Sequence, residues 1–238
     1  MSVDTRTMAL VDAVRPQAKS LLWDAVLVVA CGTLMGLVAQ ISIPLPFTPV
    51  PITGQTFGVL LTGAALGSRR AFTAMLVYLA ERLGGLPVFA LGHSGPAAFL
   101  APTGGYLLSF PFAAFAVGFL AERAFDRTSW RAVVAMVVGD MIIFAIGLPW
   151  LGHFVGIGKA VPLGLLPFIP GEIVKLLVAA AVLPSAWALV HRTTPPPLGT
   201  SGRAGPASEP RRSREVPSAG YAPIAREGAT KPTTSCQC

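Results

Sequence analysis

The chain has 238 residues, 53% of them hydrophobic and 12% charged, with a net charge of +7. Soluble domains carry about 25% charged residues, so the composition excludes an ordinary water-exposed globule and fits a chain that crosses a membrane repeatedly. Residues 193–238 hold eight prolines and six Lys or Arg against three Glu; the basic excess sits largely there and carries no implication of nucleic acid.

Residues 1–20 are polar and set Arg6, Arg15 and Lys19 against Asp4 and Asp12. An apolar run from Trp23 to Ile43 is long enough to span and too long for a signal peptide, with no small-residue cleavage site after it. Within it Gly32 and Gly36 form a G-x-x-x-G that lets another helix approach closely, whether inside the fold or on a partner subunit. Four prolines then fall between Pro44 and Pro51. They force extended or turn geometry, and the uncharged stretch reads as a lid packed on the membrane face. Gln55 ends it with an amide that offers both donor and acceptor to a ligand. Thr56 reads equally well as a plain helix start.

Segments 55–67 and 71–83 are split by Arg69 and Arg70. Fusing them would put two arginines at a bilayer centre, at roughly 2.5–3.5 kcal/mol each, so two short helices joined by a basic turn are expected. Glu81 and Arg82 read as a local ion pair at the far end. Residues 84–104 form a Gly/Pro-rich loop holding His93 and leading into Pro102–Thr103–Gly104–Gly105–Tyr106. Tyr106 is either an interfacial anchor or a pocket residue. Further spans follow at about 105–122, 131–151 and 171–191. Asp140 falls in the middle of one and must face protein interior or water.

Lys and Arg collect in alternate loops, which predicts six spans with both termini cytoplasmic. The expected fold is an all-α polytopic membrane protein, six transmembrane helices with Pro/Gly-rich outer loops at 44–56, 84–104 and 152–170. Its expected organisation is a lead-in at 1–20, a membrane domain at 21–192 and a disordered basic tail at 193–238, placed to meet anionic lipid heads.

The last span opens on Pro170–Gly171–Glu172–Ile173–Val174–Lys175. Positions i and i+3 share a helix face, so Glu172 and Lys175 project together, about 4.5 Å apart along the axis. Charges at such depth face a cavity or one another, which makes the pair either a helix anchor or the polar wall of a small-ligand site. No phosphate-cradling G-x-x-x-x-G-K-[ST] occurs, and no Cys/His cluster suggests a metal. Gly92–His93–Ser94–Gly95 has the G-x-S-G form of rhomboid-type intramembrane proteases, an alternative in which Ser94 would need a histidine partner.

Four blocks together carry a resemblance: Pro46–Phe47–Thr48–Pro49–Val50–Pro51–Ile52–Thr53 with Gln55–Thr56; Tyr78–Leu79 with Gly85–Leu86–Pro87–Val88–Phe89; Pro102–Thr103–Gly104–Gly105–Tyr106; and Pro167–Phe168–Ile169–Pro170–Gly171–Glu172 with Lys175. Across residues 44–175 the pattern resembles the BioY family, the biotin-specific substrate-binding (S) components of energy-coupling-factor (ECF) transporters. The resemblance implies a non-catalytic transport component in a bacterial cell membrane, without a cofactor, that captures biotin from the outer side. It also implies docking on a transmembrane coupling subunit and two ATPases, which alone use ATP. On this reading Glu172 accepts from ureido N–H, Lys175 and Gln55 meet carbonyl or carboxylate oxygens, and Tyr106 and Phe89 pack on the rings. Thr103 belongs to the same substrate-binding set, and Gly32 and Gly36 are the candidate docking face. Another small vitamin is the alternative substrate. The chain departs from the family pattern in carrying Glu172 where Asp is usual, and Arg82 and His93 where small residues are common.

Overall fold

The computed structural model describes residues 9–14, 20–85 and 95–193, all within one unit, Met1–Pro195. Phe89, His93, Ser94 and the tail beyond Thr193 lie outside the described residues. After a single turn of helix, α1 (Leu10–Val14), the first long helix α2 (Leu21–Ala39) starts at Ser20, whose hydroxyl oxygen accepts the Trp23 N–H at 3.1 Å. This side-chain cap satisfies one of the donors that a helix start leaves unpaired.

The proline stretch does not run free. Its two ends pair as a short antiparallel ribbon, β1 (Ser42–Ile43) with β2 (Ile52–Thr53), in register Ser42 to Thr53 and Ile43 to Ile52. The prolines sit in the connection between the strands, where no ladder donor is required of them. Thr48 fastens the loop from above by donating to the Leu163 carbonyl at 2.8 Å. A two-stranded ribbon is therefore added to the all-helical expectation.

Helices α3 (Gln55–Leu66) and α4 (Ser68–Leu83) are separate, and the break between them is Gly67. Its φ of +80° suits glycine alone, and a Cβ there would come within 2.6 Å of Glu122 Oε1. That same carboxylate accepts from the Ser68 N–H at 2.7 Å and the Ser68 hydroxyl at 2.9 Å, closing the joint. The arginines expected in the turn instead occupy the first turn of α4. Arg70 ties α1 and α2 to it through Asp12 at 2.7 Å and Asp24 at 2.9 Å.

Helix α5 (Gly104–Ala121) packs against α3, α4 and α6 (Ser129–Val155). Of its span 67% is buried, against 22% for α2 and 17% for the last helix, α8 (Ile169–Thr193), so α5 is the centre and the other two form the outside. The segment expected as an outer loop at 152–170 contains a further helix, α7 (Ile157–Gly164), set off from α6 by Gly156 at φ +88°.

Among the described residues four helices are long and apolar enough to cross a membrane: α2, α5, α6 and α8 from Ile169 to Val190. At 1.5 Å per residue α3 reaches about 18 Å and α4 about 24 Å, short of a hydrocarbon core of about 30 Å. Leu21, Leu22, Val26, Leu34 and Leu37 on α2 and Ile173, Val174 and Leu177 on α8 are all exposed. Helices that remain apolar on their outward faces belong in lipid, and the chain is a membrane protein.

Candidate functional site

A cavity of about 300 Å³ opens where the start of α3, the end of α4, the start of α5 and the start of α8 meet beneath the proline loop. This lies at the small end of the range for ligand pockets. Glu172 sits in the first turn of α8, after Pro170 and on a backbone bond from its N–H to the Phe168 carbonyl at 2.9 Å. Lys175, one turn on, donates to Glu172 Oε1 at 2.8 Å and to Thr56 Oγ1 at 2.7 Å. Thr56 in turn donates to the same carboxylate oxygen at 3.2 Å. Glu172 Oε1 is therefore saturated, whereas Oε2 is buried with no hydrogen-bond partner among the described residues. A carboxylate oxygen without a donor is costly away from water, so Oε2 lacks a donor that the described residues do not supply.

The walls add shape. Gln55, the first residue of α3, is buried and accepts the Tyr78 hydroxyl at 2.9 Å. Tyr106 lines the cavity with its hydroxyl donating to the Gly164 carbonyl at 3.0 Å and its ring edge-on to Phe144. Of its two readings, pocket residue or interfacial anchor, the first is the one the structure places. Thr103 lines the same space from the approach to α5. That approach is held by the Trp150 indole, which donates to the Ala101 carbonyl at 2.9 Å. Here the glycine pair of the Pro-Thr-Gly-Gly-Tyr block has a steric cause: a Cβ on Gly105 would lie 2.3 Å from Trp150 Cβ.

Five of the six expected substrate-binding residues thus share one cavity, namely Glu172, Lys175, Gln55, Tyr106 and Thr103; Phe89 lies outside the described residues. Gly32 and Gly36 are not part of it. Both are buried, and a Cβ on Gly32 would touch Val77 at 3.0 Å and the Ala74 carbonyl at 3.1 Å. Gly32 serves the packing of α2 on α4.

Two features of the site escaped sequence reading. Thr56 completes the polar triad, which nothing in a helix-start threonine announces. Arg82 lines the cavity, whereas Glu81 turns to α2 and accepts from Thr33 at 2.9 Å, so the expected Glu81–Arg82 ion pair does not form. Adjacent helical residues point to different faces, and that spacing was the available signal. Asp140, expected to face protein interior or water, is buried and lines a second cavity of about 420 Å³ between α6 and α8, whose wall also includes Glu172.

A model of the BioY family matches residues 9–192. The biotin transporter BioY of Rhizobium etli is 39% identical over 155 residues, covering 61% of this chain and 81% of that protein. The protein of the same name from Thermotoga maritima is 40% identical over 145 residues, covering 60% and 83%. Among solved structures, the crystal structure of the S-component for biotin from an ECF-type ABC transporter aligns with a TM-score of 0.60 at 27% identity. The alignment covers 73% of this chain and 93% of that one.

Proposed function

We infer that this chain, which belongs to the BioY family, takes up biotin across the membrane as the substrate-capture S component of an ECF-type transporter. It is a binding component rather than an enzyme. The observation that carries the reading is the Glu172–Lys175 pair on the wall of a cavity of ligand size, with Glu172 Oε2 left without a donor among the described residues. Biotin presents two ureido N–H donors, a ureido carbonyl, an apolar bicycle and a carboxylate on a short alkyl arm. Glu172 accepts the ureido N–H groups, and charge-assisted bonds of this kind are about twice as strong as neutral ones. Lys175 and Gln55 supply donors to biotin's oxygens, and Tyr106 with Thr103 bounds the ring system.

Six membrane crossings fit this site: α2, α5, α6 and α8 at full length, and the shorter α3 and α4 where the bilayer thins around them. The cavity is built from the start of α3, the end of α4 and the starts of α5 and α8, which are ends on one side of an up-and-down bundle. The other ends carry Arg69, Arg70, Arg123, Arg127 and Arg131, and such basic ends stay cytoplasmic. The cavity therefore opens outward, both termini are cytoplasmic, and the membrane is the plasma membrane of a bacterial cell. The loaded chain docks on a coupling subunit, and paired ATPases drive release inside.

Biotin titration of the purified full chain in detergent, wild type beside Glu172→Ala and Lys175→Ala, tests the assignment. Saturable binding that both substitutions abolish or strongly weaken is expected. Binding that survives both would move the site elsewhere and reduce the pair to a helix anchor.

A further inference from the structure

The cavity wall is not symmetrical in charge. Among the described residues that line it, two are cations, Arg82 and Lys175, and one is an anion, Glu172. Lys175 is engaged with Glu172 at 2.8 Å. Asp140 stands on the second cavity and does not line the first. Arg82 enters from a different wall. It ends α4, which packs on α2, α3 and α5, whereas Glu172 and Lys175 belong to α8, which packs on α6 and α3. Arg82 is only 5% exposed, its guanidinium carbon lies 5.9 Å from the centre of the Phe99 ring, and it shares a hydrogen bond with Tyr78. Its sequence neighbour Glu81 is turned outward to Thr33 of α2 and leaves the cavity side to the guanidinium.

An arginine placed inside a membrane bundle and facing a cavity marks a polar ligand path by default. Its planar fork matches a carboxylate with two parallel N–H bonds, a fit that a lysine cannot reproduce. We propose that Arg82 is the anion subsite of this cavity, taking the carboxylate of the bound ligand while the Glu172–Lys175–Thr56 triad holds the opposite, hydrogen-bonding end. The chain then selects ligands with a free carboxylate over their amides. This rests on biotin being the ligand. It fixes the direction in which biotin lies: ureido ring toward α8, arm toward the end of α4.

The test compares biotin with its neutral primary carboxamide on the detergent-purified full chain, by calorimetric titration, for wild type, Arg82→Gln and Arg82→Lys. Wild type should bind biotin on the order of 10- to 100-fold more tightly than the carboxamide, the range of one charged hydrogen-bonded contact. Arg82→Gln should erase that preference by weakening biotin alone, and Arg82→Lys should restore part of it. Equal binding of the two ligands by wild type, which needs no variant to fold, would overturn the subsite and leave the biotin assignment standing. Equal weakening of both ligands in Arg82→Gln would likewise overturn it and make Arg82 a structural residue. Binding of neither ligand by wild type would overturn the biotin assignment itself, and the subsite with it.

Discussion

The Tyr78 hydroxyl on α4 donates to Gln55 Oε1 at the start of α3 over 2.9 Å, with both side chains buried. The amide oxygen is thereby used, and the two amide N–H donors are what Gln55 has left for the cavity. Tyr78→Phe keeps the ring, stacked with Phe110 at 6.5 Å, and removes only the hydroxyl. A neutral hydrogen bond is worth about 1 kcal/mol net, and an orphaned buried partner costs about 1–3 kcal/mol. The same hydroxyl also bonds Arg82, so biotin binding should weaken roughly fivefold or more with a modest loss of thermal stability. Calorimetric titration of this variant checks it; unchanged affinity would mean that neither Gln55 nor Arg82 needs this hydroxyl to be oriented.

Glu172 invites a finer comparison than alanine. Oε1 is held by Lys175 and Thr56, and Oε2 has no donor among the described residues. Glu172→Gln keeps the shape and removes the charge, so it leaves Lys175 without its counter-ion. Breaking a buried pair from one side costs about 3–5 kcal/mol, and biotin affinity should fall at least a hundredfold, with a lower unfolding temperature. Glu172→Asp keeps the charge and withdraws it by one methylene, and should cost tenfold or less. An Asp variant as poor as the Gln variant would show that reach, not charge, governs the site.

The Glu172–Lys175 pair was legible because i,i+3 spacing in an apolar helix leaves two charges only each other or a cavity to face. The proline loop was legible for a similar reason, since prolines forbid most alternatives. Its pairing into a ribbon was not, because two residues at each end carry too little pattern. Helix α7 was hidden by the glycines and proline that make 156–164 read as loop. The G-x-x-x-G of α2 correctly marked a close approach, but small residues do not say what approaches, and the structure supplies α4. Arg82 was assigned by its neighbour in sequence when its neighbours in space decide its role.

Tyr106 is clamped by glycines, which makes its position open to a steric test. A Cβ on Gly147 would lie 2.5 Å from the Tyr106 ring. Gly147→Ala should push the ring toward the cavity, with overpacking that costs about 1–3 kcal/mol, and biotin affinity should fall about tenfold or more. Gly158→Ala is the control, because nothing lies within 4 Å of a Cβ built there; its affinity should match wild type. Equal binding by both variants would show that the Tyr106 ring has room to retreat.

Asp126 offers a prediction about stability rather than binding. It lies buried in the turn between α5 and α6 and accepts the indole N–H of Trp187 from α8. Arg127 stacks over that indole, with its guanidinium carbon 4.2 Å from the ring centre. Burial lifts the Asp126 carboxyl above its ordinary range, and the Trp187 N–H and the charge of Arg127 offset only part of this. An acid whose folded pKa is raised is bound more tightly by a proton in the folded state. Its contribution therefore favours folding below the ordinary value near about 4 and is lost as pH rises through that value to the raised one. Asp126→Asn keeps an acceptor for Trp187 and removes the buried charge. At pH 7.5 the variant should unfold at the same temperature as wild type or above it, and this advantage should shrink as pH is lowered toward 4.5. Thermal unfolding in detergent across that range decides the matter. A variant several degrees less stable at pH 7.5 would mean that the ionised carboxylate is held by Arg127 and Trp187 more strongly than burial disfavours it.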